Sequence, residues 1–152
     1  MELLKNLPSI SGLMDEIKDY KENNSDDLSV VYNKGKIIDC EEIPIKHSFA
    51  DQVYLRQMDM SKHQLVIGAI HNHKHIWFLM TGKVSIRTSN EIITHIAPCY
   101  TVSEPGDQRV IYAHEDSIFI NIHKNPSNNK NIEELEKEIV SLNKKEYEQK
   151  NK

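Results

Sequence analysis

Between Leu28 and His123 the chain is a succession of short β-forming runs: "LSVVY", "KIID", "QVYLRQM", "QLVIGAIH", "HIWFLM", "KVSIRT", "EIITHI", "YTVS", "RVIYA" and "SIFINIH". Gly, Pro, Asn, Asp or Ser residues punctuate them, as turn residues do between strands. Parallel strands need long, usually helical, crossovers, and no helical pattern lies between these runs. The pattern therefore predicts an all-β domain, an antiparallel sandwich or barrel. Ser89-Asn90, between "KVSIRT" and "EIITHI", has the length of a tight hairpin loop. In "SIFINIH" the strand period of two sends Ser117, Phe119, Asn121 and His123 to one side. In "QVYLRQM" it does the same for Tyr54, Arg56 and Met58.

The two ends read differently. In residues 1–27, Ile10, Leu13, Met14, Ile17 and Tyr20 recur at helical spacing, with Ser9 or Ser11 available as cap and "KENNSDD" as the stop. In residues 125–152, Asn131 stands three residues before Glu134, as in a capping box, and Ile132, Leu135, Ile139 and Leu142 form a narrow apolar seam. The tail "KKEYEQKNK" is expected to fray. The chain thus divides into an N-terminal helical arm (1–27), a barrel (28–124) and a C-terminal helix and tail (125–152). The C-terminal helix either lies on the barrel or joins two copies of it.

Composition narrows the function classes. A chain of 152 residues can bury a real core as one domain. A net charge of −4 without a basic stretch gives no footprint for nucleic acid. The longest apolar run, Ile76 to Met80, is far too short for a membrane span. With only Cys40 and Cys99, and with "MELLKNLPSI" unlike a secretion signal, a reducing, cytoplasmic setting is expected.

The chemistry-bearing feature is "AIHNHKHIWFLMTG", residues 69 to 82. If "GAIH" ends one strand and "HIWFLM" begins the next, His71 and His75 flank a tight turn and their rings converge, while His73 occupies the tip. Neutral imidazole is the commonest protein ligand for first-row metals, so the pair supplies half a coordination shell. The plainer reading is a set of solvated turn histidines.

These residues also resemble a known pattern. From His71 to Gly82, and then in "PGDQR" at 105–109, the layout is similar to the two motifs of the cupins. Counting back from Gly82 puts His75 where cupins carry glutamate and His71 at their second histidine. Ala69 then stands at the first histidine and Arg109 at the last one. Of the usual ligand positions one is kept, one is exchanged for another possible ligand and two are lost. The chain is similar, over about two thirds of its length, to small cupin-like proteins of bacteriophages, mostly without assigned function. The matching stretches are "IPIKHSFADQVYLRQM", "IGAIHNHKHIWFLMTGKV", "PGDQRVIYAHEDSIFINIH" and "IEELEKEI". Those proteins commonly carry histidines matching His71, His75 and His123, whereas His73 departs from them. The resemblance implies a cupin-type antiparallel β-barrel (double-stranded β-helix) with short terminal helices, a phage origin and no particular reaction.

On such a barrel His71, His75 and His123 are the expected metal ligands, with Arg109, Tyr54, Arg56 and His47 around them for a small ligand. Three imidazoles, or two with a tyrosinate, suit Zn, Fe, Ni or Mn and leave a position open. Arg109 offers a planar fork for carboxylate or phosphate; alternatively it pairs with Glu115 or Asp116 as a structural salt bridge. Three functions remain open: a metal-binding cupin that binds or turns over a small anionic ligand, a non-catalytic module that binds a metabolite or serves in the virion or in host interaction, and a metal-free sugar-nucleotide epimerase. The last trails, because no His–Asp pair accompanies Tyr54, Tyr100 or Tyr112. Cupin barrels commonly pair through edge strands, so a homodimer is expected, by that route or through the terminal helices.

Overall fold

The computed structural model describes residues 2–5, 9, 12, 30–33, 36–38 and 43–152. Strands dominate it: β1 (Val30–Asn33), β2 (Lys36–Ile38), β3 (Ile45–Ala50), β4 (Val53–Met60), β5 (Gln64–Ile67), β6 (Ile70–His71) and β7 (His75–Thr81) come first. They are followed by β8 (Lys83–Arg87), β9 (Ile92–Ile96), β10 (Cys99–Ser103), β11 (Val110–Ala113) and β12 (Ser117–Lys124). A six-stranded sheet in the order β2-β1-β5-β11-β8-β9 faces a five-stranded sheet in the order β10-β7-β12-β4-β3. Every strand pairing among the described residues is antiparallel. This is the all-β, antiparallel two-sheet architecture, a sandwich or barrel, that the strand pattern predicts.

Alternation builds the core. Trp77 and Leu79 of β7, Phe119 of β12 and Met58 of β4 meet Val84, Ile86, Ile111 and Ala113 of the opposite sheet. The Ser89-Asn90 hairpin forms as expected, with Arg87 opposite Ile92 and the Thr88 N–H donating to the Glu91 carbonyl (2.9 Å). Gly82 closes the β7–β8 corner with φ +84°, and a Cβ there would lie 2.4 Å from the Asp116 carbonyl oxygen. No residue with a side chain fits that corner unchanged.

Of the expected N-terminal arm the described residues include one short helix, α1 (Glu2–Lys5), with Ser9 and Gly12. The Ser9 hydroxyl accepts from the Gly12 N–H at 3.1 Å, as a cap at Ser9 requires. The remainder of that arm and Cys40 lie outside the described residues. Leu4 is buried to 1% exposure, and its carbonyl accepts from Arg87 Nη1 (3.1 Å). Leu65, Ile67, Ser85 and Val110, which by alternation face away from the core, are also buried.

The C-terminal expectation needs correction. Asn131 does cap a helix, its side chain accepting from the Glu134 N–H (3.2 Å), but that helix, α2, covers only Ile132–Ile139. The Glu134 carboxylate accepts from Asn129 Nδ2 (2.7 Å). The chain then enters a two-residue strand, β13 (Val140–Ser141), which pairs with β6, and turns into a second helix, α3 (Lys144–Lys150). Leu135 and Ile139 are buried against Tyr54, whereas Leu142 is 54% exposed, so the seam ends at the break. Nor does the tail fray: Asn143 caps α3, and Lys150 donates to the Lys137 and Val140 carbonyls. The run "QLVIGAIH" is likewise two strands. The chain leaves the six-stranded sheet at Gly68-Ala69, where the Gly68 N–H donates to the Arg109 carbonyl (2.8 Å).

Candidate metal and anion site

The register of the five-stranded sheet sets the polar residues in rows. Ser103 lies opposite His75, His123 opposite Tyr54, and Tyr54 opposite Phe49. The neighbouring row runs Thr101, Trp77, Asn121, Arg56 and His47. One end of the inner face is therefore polar, while its continuation through Leu79, Phe119 and Met58 is core.

His71 and His75 do flank a tight turn, at the end of β6 and the start of β7. Their ring centroids are 4.2 Å apart, and His123 lies 4.7 Å from His75 and 5.5 Å from His71. One nitrogen from each of the three falls within 4.8 Å of the others. Two imidazoles on one ion stand at most about 4.2 Å apart, given metal–nitrogen bonds near 2.1 Å, so a small ring movement completes the shell. The three are 5–8% exposed. Burial, and then the Arg109 charge, hold His71 well below the usual imidazole range and bring His75 down to about 4. Burial and then its His75 neighbour bring His123 down to about 3. All three are neutral at pH 7, the form that binds metal. The donor set fits a first-row transition ion, which it would hold as a Lewis acid with positions left for exogenous ligands.

His73 is outside this cluster, but it does not simply face solvent. It is half-buried, and its hydrogen bond with the Glu138 backbone opposes the downward pull of burial on its pKa. The turn is docked by Asn72, whose N–H donates to the Ile139 carbonyl (2.7 Å), whose amide donates to the Glu138 carbonyl (3.0 Å), and whose oxygen accepts from Ser141 Oγ (2.7 Å). On the other side the Gly106 N–H donates to the His71 carbonyl (2.9 Å). Gly106 has φ +88°, and a Cβ there would sit 3.2 Å from the Tyr147 ring.

Arg109 enters the same space. Its Nη2 donates to Asn121 Oδ1 (3.2 Å) and lies 3.4 Å from His75 Nε2, and its guanidinium stands 5.8 Å from the Phe119 ring centroid. Burial pushes its pKa down to about 10, opposed by Asp107. Among the described residues it makes no salt bridge; Asp116 instead accepts from the Lys62 N–H, so the expected pairing with Glu115 or Asp116 is absent. Asn121 Oδ1 also lies 3.1 Å from His75 Nε2. The other ring nitrogen, Nδ1, lies 3.4 Å from the His73 carbonyl, so both nitrogens of His75 face acceptors and an ion would replace one of these contacts.

Tyr54 is 1% exposed, stacks between Phe49 and His123, and lies 2.7 Å from His47 Nδ1. Burial pushes its hydroxyl up to about 12, so it stays a phenol and the tyrosinate alternative is set aside. His47 is exposed on the edge strand β3, and Arg56 is half-buried beside Asn121. A groove of about 320 Å³, lined by Phe49, Asp51, Asn125 and Lys130 among others, opens at the β3–β4 turn, and none of the clustered histidines lines it. Three residues escaped the sequence reading as site components: Ser103, Asn121 and Asn72. Alternation marked Asn121 as inward-facing, whereas Ser103 and Asn72 become visible only through pairing between distant segments.

No family model matches the chain, and no curated protein is similar to it. Solved structures do match. A cupin-2 domain protein of Shewanella frigidimarina shares 14% identity, with 53% of this chain and 79% of that one covered and a TM-score of 0.46. An RmlC-like cupin of the same organism shares 13% over 55% and 76%, TM-score 0.47. A cupin superfamily protein of Desulfitobacterium hafniense shares 10% over 57% and 83%, TM-score 0.49. Each of these structures is a cupin, matched over 53–57% of this chain.

Proposed function

We propose that this is a small phage-type cupin that binds one divalent transition metal through His71, His75 and His123 and receives a small anionic ligand beside it at Arg109. One observation carries the reading. Among the described residues, the buried side-chain atoms without a hydrogen-bond partner are His71 Nδ1, Ser103 Oγ and Arg109 Nη1. Buried polar atoms are seldom left unpaired, because each costs about 1–3 kcal/mol. Here all of them belong to residues around His75. A metal answers the imidazole lone pair, and an anion answers the guanidinium and the hydroxyl. Charge requires the same pairing, since an ion with two positive charges beside Arg109 is repelled unless an anion lies near both. Arg56, Tyr54 and His47 complete the wall on the β4 side.

A second reading rests on Arg109 itself, which stands where the last cupin histidine is expected and places a fixed positive charge 3.4 Å from His75. The site then binds the anion alone, as a non-catalytic module. Metal analysis of tag-free protein grown in supplemented medium separates the two. The metal reading expects close to one ion per chain, lost in His71→Ala and His75→Ala, weakened in His123→Ala and retained in His73→Ala. Metal-free wild type with no thermal shift on adding Zn, Mn, Fe, Co or Ni, but with anion binding dependent on Arg109, would leave the second reading standing.

A further inference from the structure

The site is shut in. His71, His75, Ser103, Arg109, Asn121 and His123 are all 4–8% exposed, so a ligand reaches their unpartnered atoms only through a part of the wall that moves. Most of the wall is held by hydrogen bonds. β7 and β12 lie inside the five-stranded sheet, each with a paired strand on both sides. The loop at 104–108 is bonded to His71 twice, by the Gly106 N–H to the His71 carbonyl (2.9 Å) and by the His71 N–H to the Asp107 carbonyl (3.4 Å). The His71–His75 turn is bonded through Asn72 to Glu138, Ile139 and Ser141. One stretch differs. It consists of Tyr54, with Leu135 and Ile139 of α2 packed on it and Phe49 beside it. Among the described residues no hydrogen bond or ion pair joins α2 to β3 or β4, and the contact there is between apolar side chains and rings.

Ring spacing sets the order along this stretch. Phe49 lines the groove at the β3–β4 turn, its ring lies 5.3 Å from that of Tyr54, and Tyr54 lies 6.0 Å from His123. Two stacked rings therefore stand between the outer groove and the first buried histidine. The Tyr54 hydroxyl lies 2.7 Å from Nδ1 of His47, an exposed residue of the edge strand β3, so the ring is tied to the rim and not to the interior. The helix above it is anchored beyond both ends. Before it, the Asn125 N–H donates to the Gln52 carbonyl (2.8 Å) and Asn128 Oδ1 accepts from the Gln52 N–H (2.6 Å). After it comes the Asn72 docking. A helix fixed at its ends and held to the barrel by apolar contact rolls about its own axis without breaking a hydrogen bond to β3 or β4. Such gating motions run in microseconds to milliseconds. We propose that α2 and Tyr54 are the gate of the buried site: α2 rolls, Leu135 and Ile139 leave the Tyr54 ring, and the ring swings towards His47 and opens a way from the groove to His123. The proposal takes from the metal reading only what passes through the gate, since the route is a property of the chain itself.

The test uses metal-free protein and diethyl pyrocarbonate, which carbethoxylates neutral imidazoles, with the rate read at each histidine by mass spectrometry. Wild type should react slowly at His71, His75 and His123. Leu135→Ala removes packing from Tyr54 and should raise those rates roughly tenfold or more, because local opening then costs less. Tyr54→Phe keeps the ring, loses its tie to His47 and should raise them in the same direction. His114, half-buried and bonded to Ser85 on the six-stranded sheet, reports general loosening and should keep its wild-type rate in both variants. Tyr147→Ala opens the space over Gly106, on another side of the site, and should leave the three rates unchanged. Should Leu135→Ala fail to fold, Tyr54→Phe carries the test. With no metal present, a protein that binds none gives the same answer about the gate. Unchanged rates in both gate variants, rates that rise together with that of His114, or a rise in Tyr147→Ala instead would overturn the proposal.

Discussion

Arg109 is a full charge held at 5% exposure with one nitrogen bonded to Asn121 and another unpartnered. A buried charge with no salt-bridge partner weakens a fold, so its presence favours ligand over stability. Arg109→Met keeps the packing against Phe119 and removes the charge. The ligand-free variant is expected to be more stable than wild type in urea, by about 1–3 kcal/mol on the scale of buried charges replaced by apolar side chains. Its affinity for small carboxylates or phosphate should fall at least tenfold in calorimetric titration. A less stable variant that binds anions normally would make Arg109 a structural residue. The same trade-off explains why sequence alone left the role of Arg109 open. The spacing after Gly106 locates the residue, but only the register of β12 shows that Asn121, not an acid, meets it.

At the level of elements, the His71–His75 turn is held from outside itself. Asn72 spends its backbone N–H and both ends of its side chain on residues 138–141. Asn72→Ala removes two of those hydrogen bonds and leaves Ser141 Oγ, in a buried residue, without its acceptor, a loss of about 1–3 kcal/mol. Metal affinity should drop with it, readable by competition with a chromophoric chelator; unchanged affinity would show that the turn holds its own shape. What the sequence made legible were the features set by neighbours in the chain. The hairpin at Ser89-Asn90, the cap at Asn131 and the inward alternation of His123 are all local. The broken C-terminal helix was not legible, because Val140 leaves helical geometry to pair with His71, a partner far back in the chain. Nothing in "IVSLNKKEY" announces that pairing.

For the whole molecule, the clustered imidazoles make stability depend on pH. In the metal-free protein His75 and His123 titrate at about 4 and 3, and His71 is lowered as well, whereas an unfolded chain titrates near the ordinary histidine value of 6.5. Their contribution is complete above that value. As pH falls below it the unfolded chain takes up protons the folded one refuses, so stability is lost by up to about 1.4 kcal/mol per pH unit for each group. The loss ends near pH 4 for His75 and near pH 3 for His123. Urea midpoints of the metal-free protein should therefore fall between pH 7 and pH 5, and His123→Asn should flatten the slope. Midpoints independent of pH across that range would contradict the burial of the cluster. The pairing of β6 with β13 has a temporal consequence as well. A chain emerging from the ribosome can close most of its barrel before residues 140–141 appear, but His71 gains its partner strand only with them. The binding centre is thus among the last parts to assemble, and a product that stops short of Val140 carries the barrel strands while lacking the support that keeps His71 beside His75. Expression of residues 1–139 is expected to give a chain that does not hold metal, so premature termination yields inert protein instead of a half-active one.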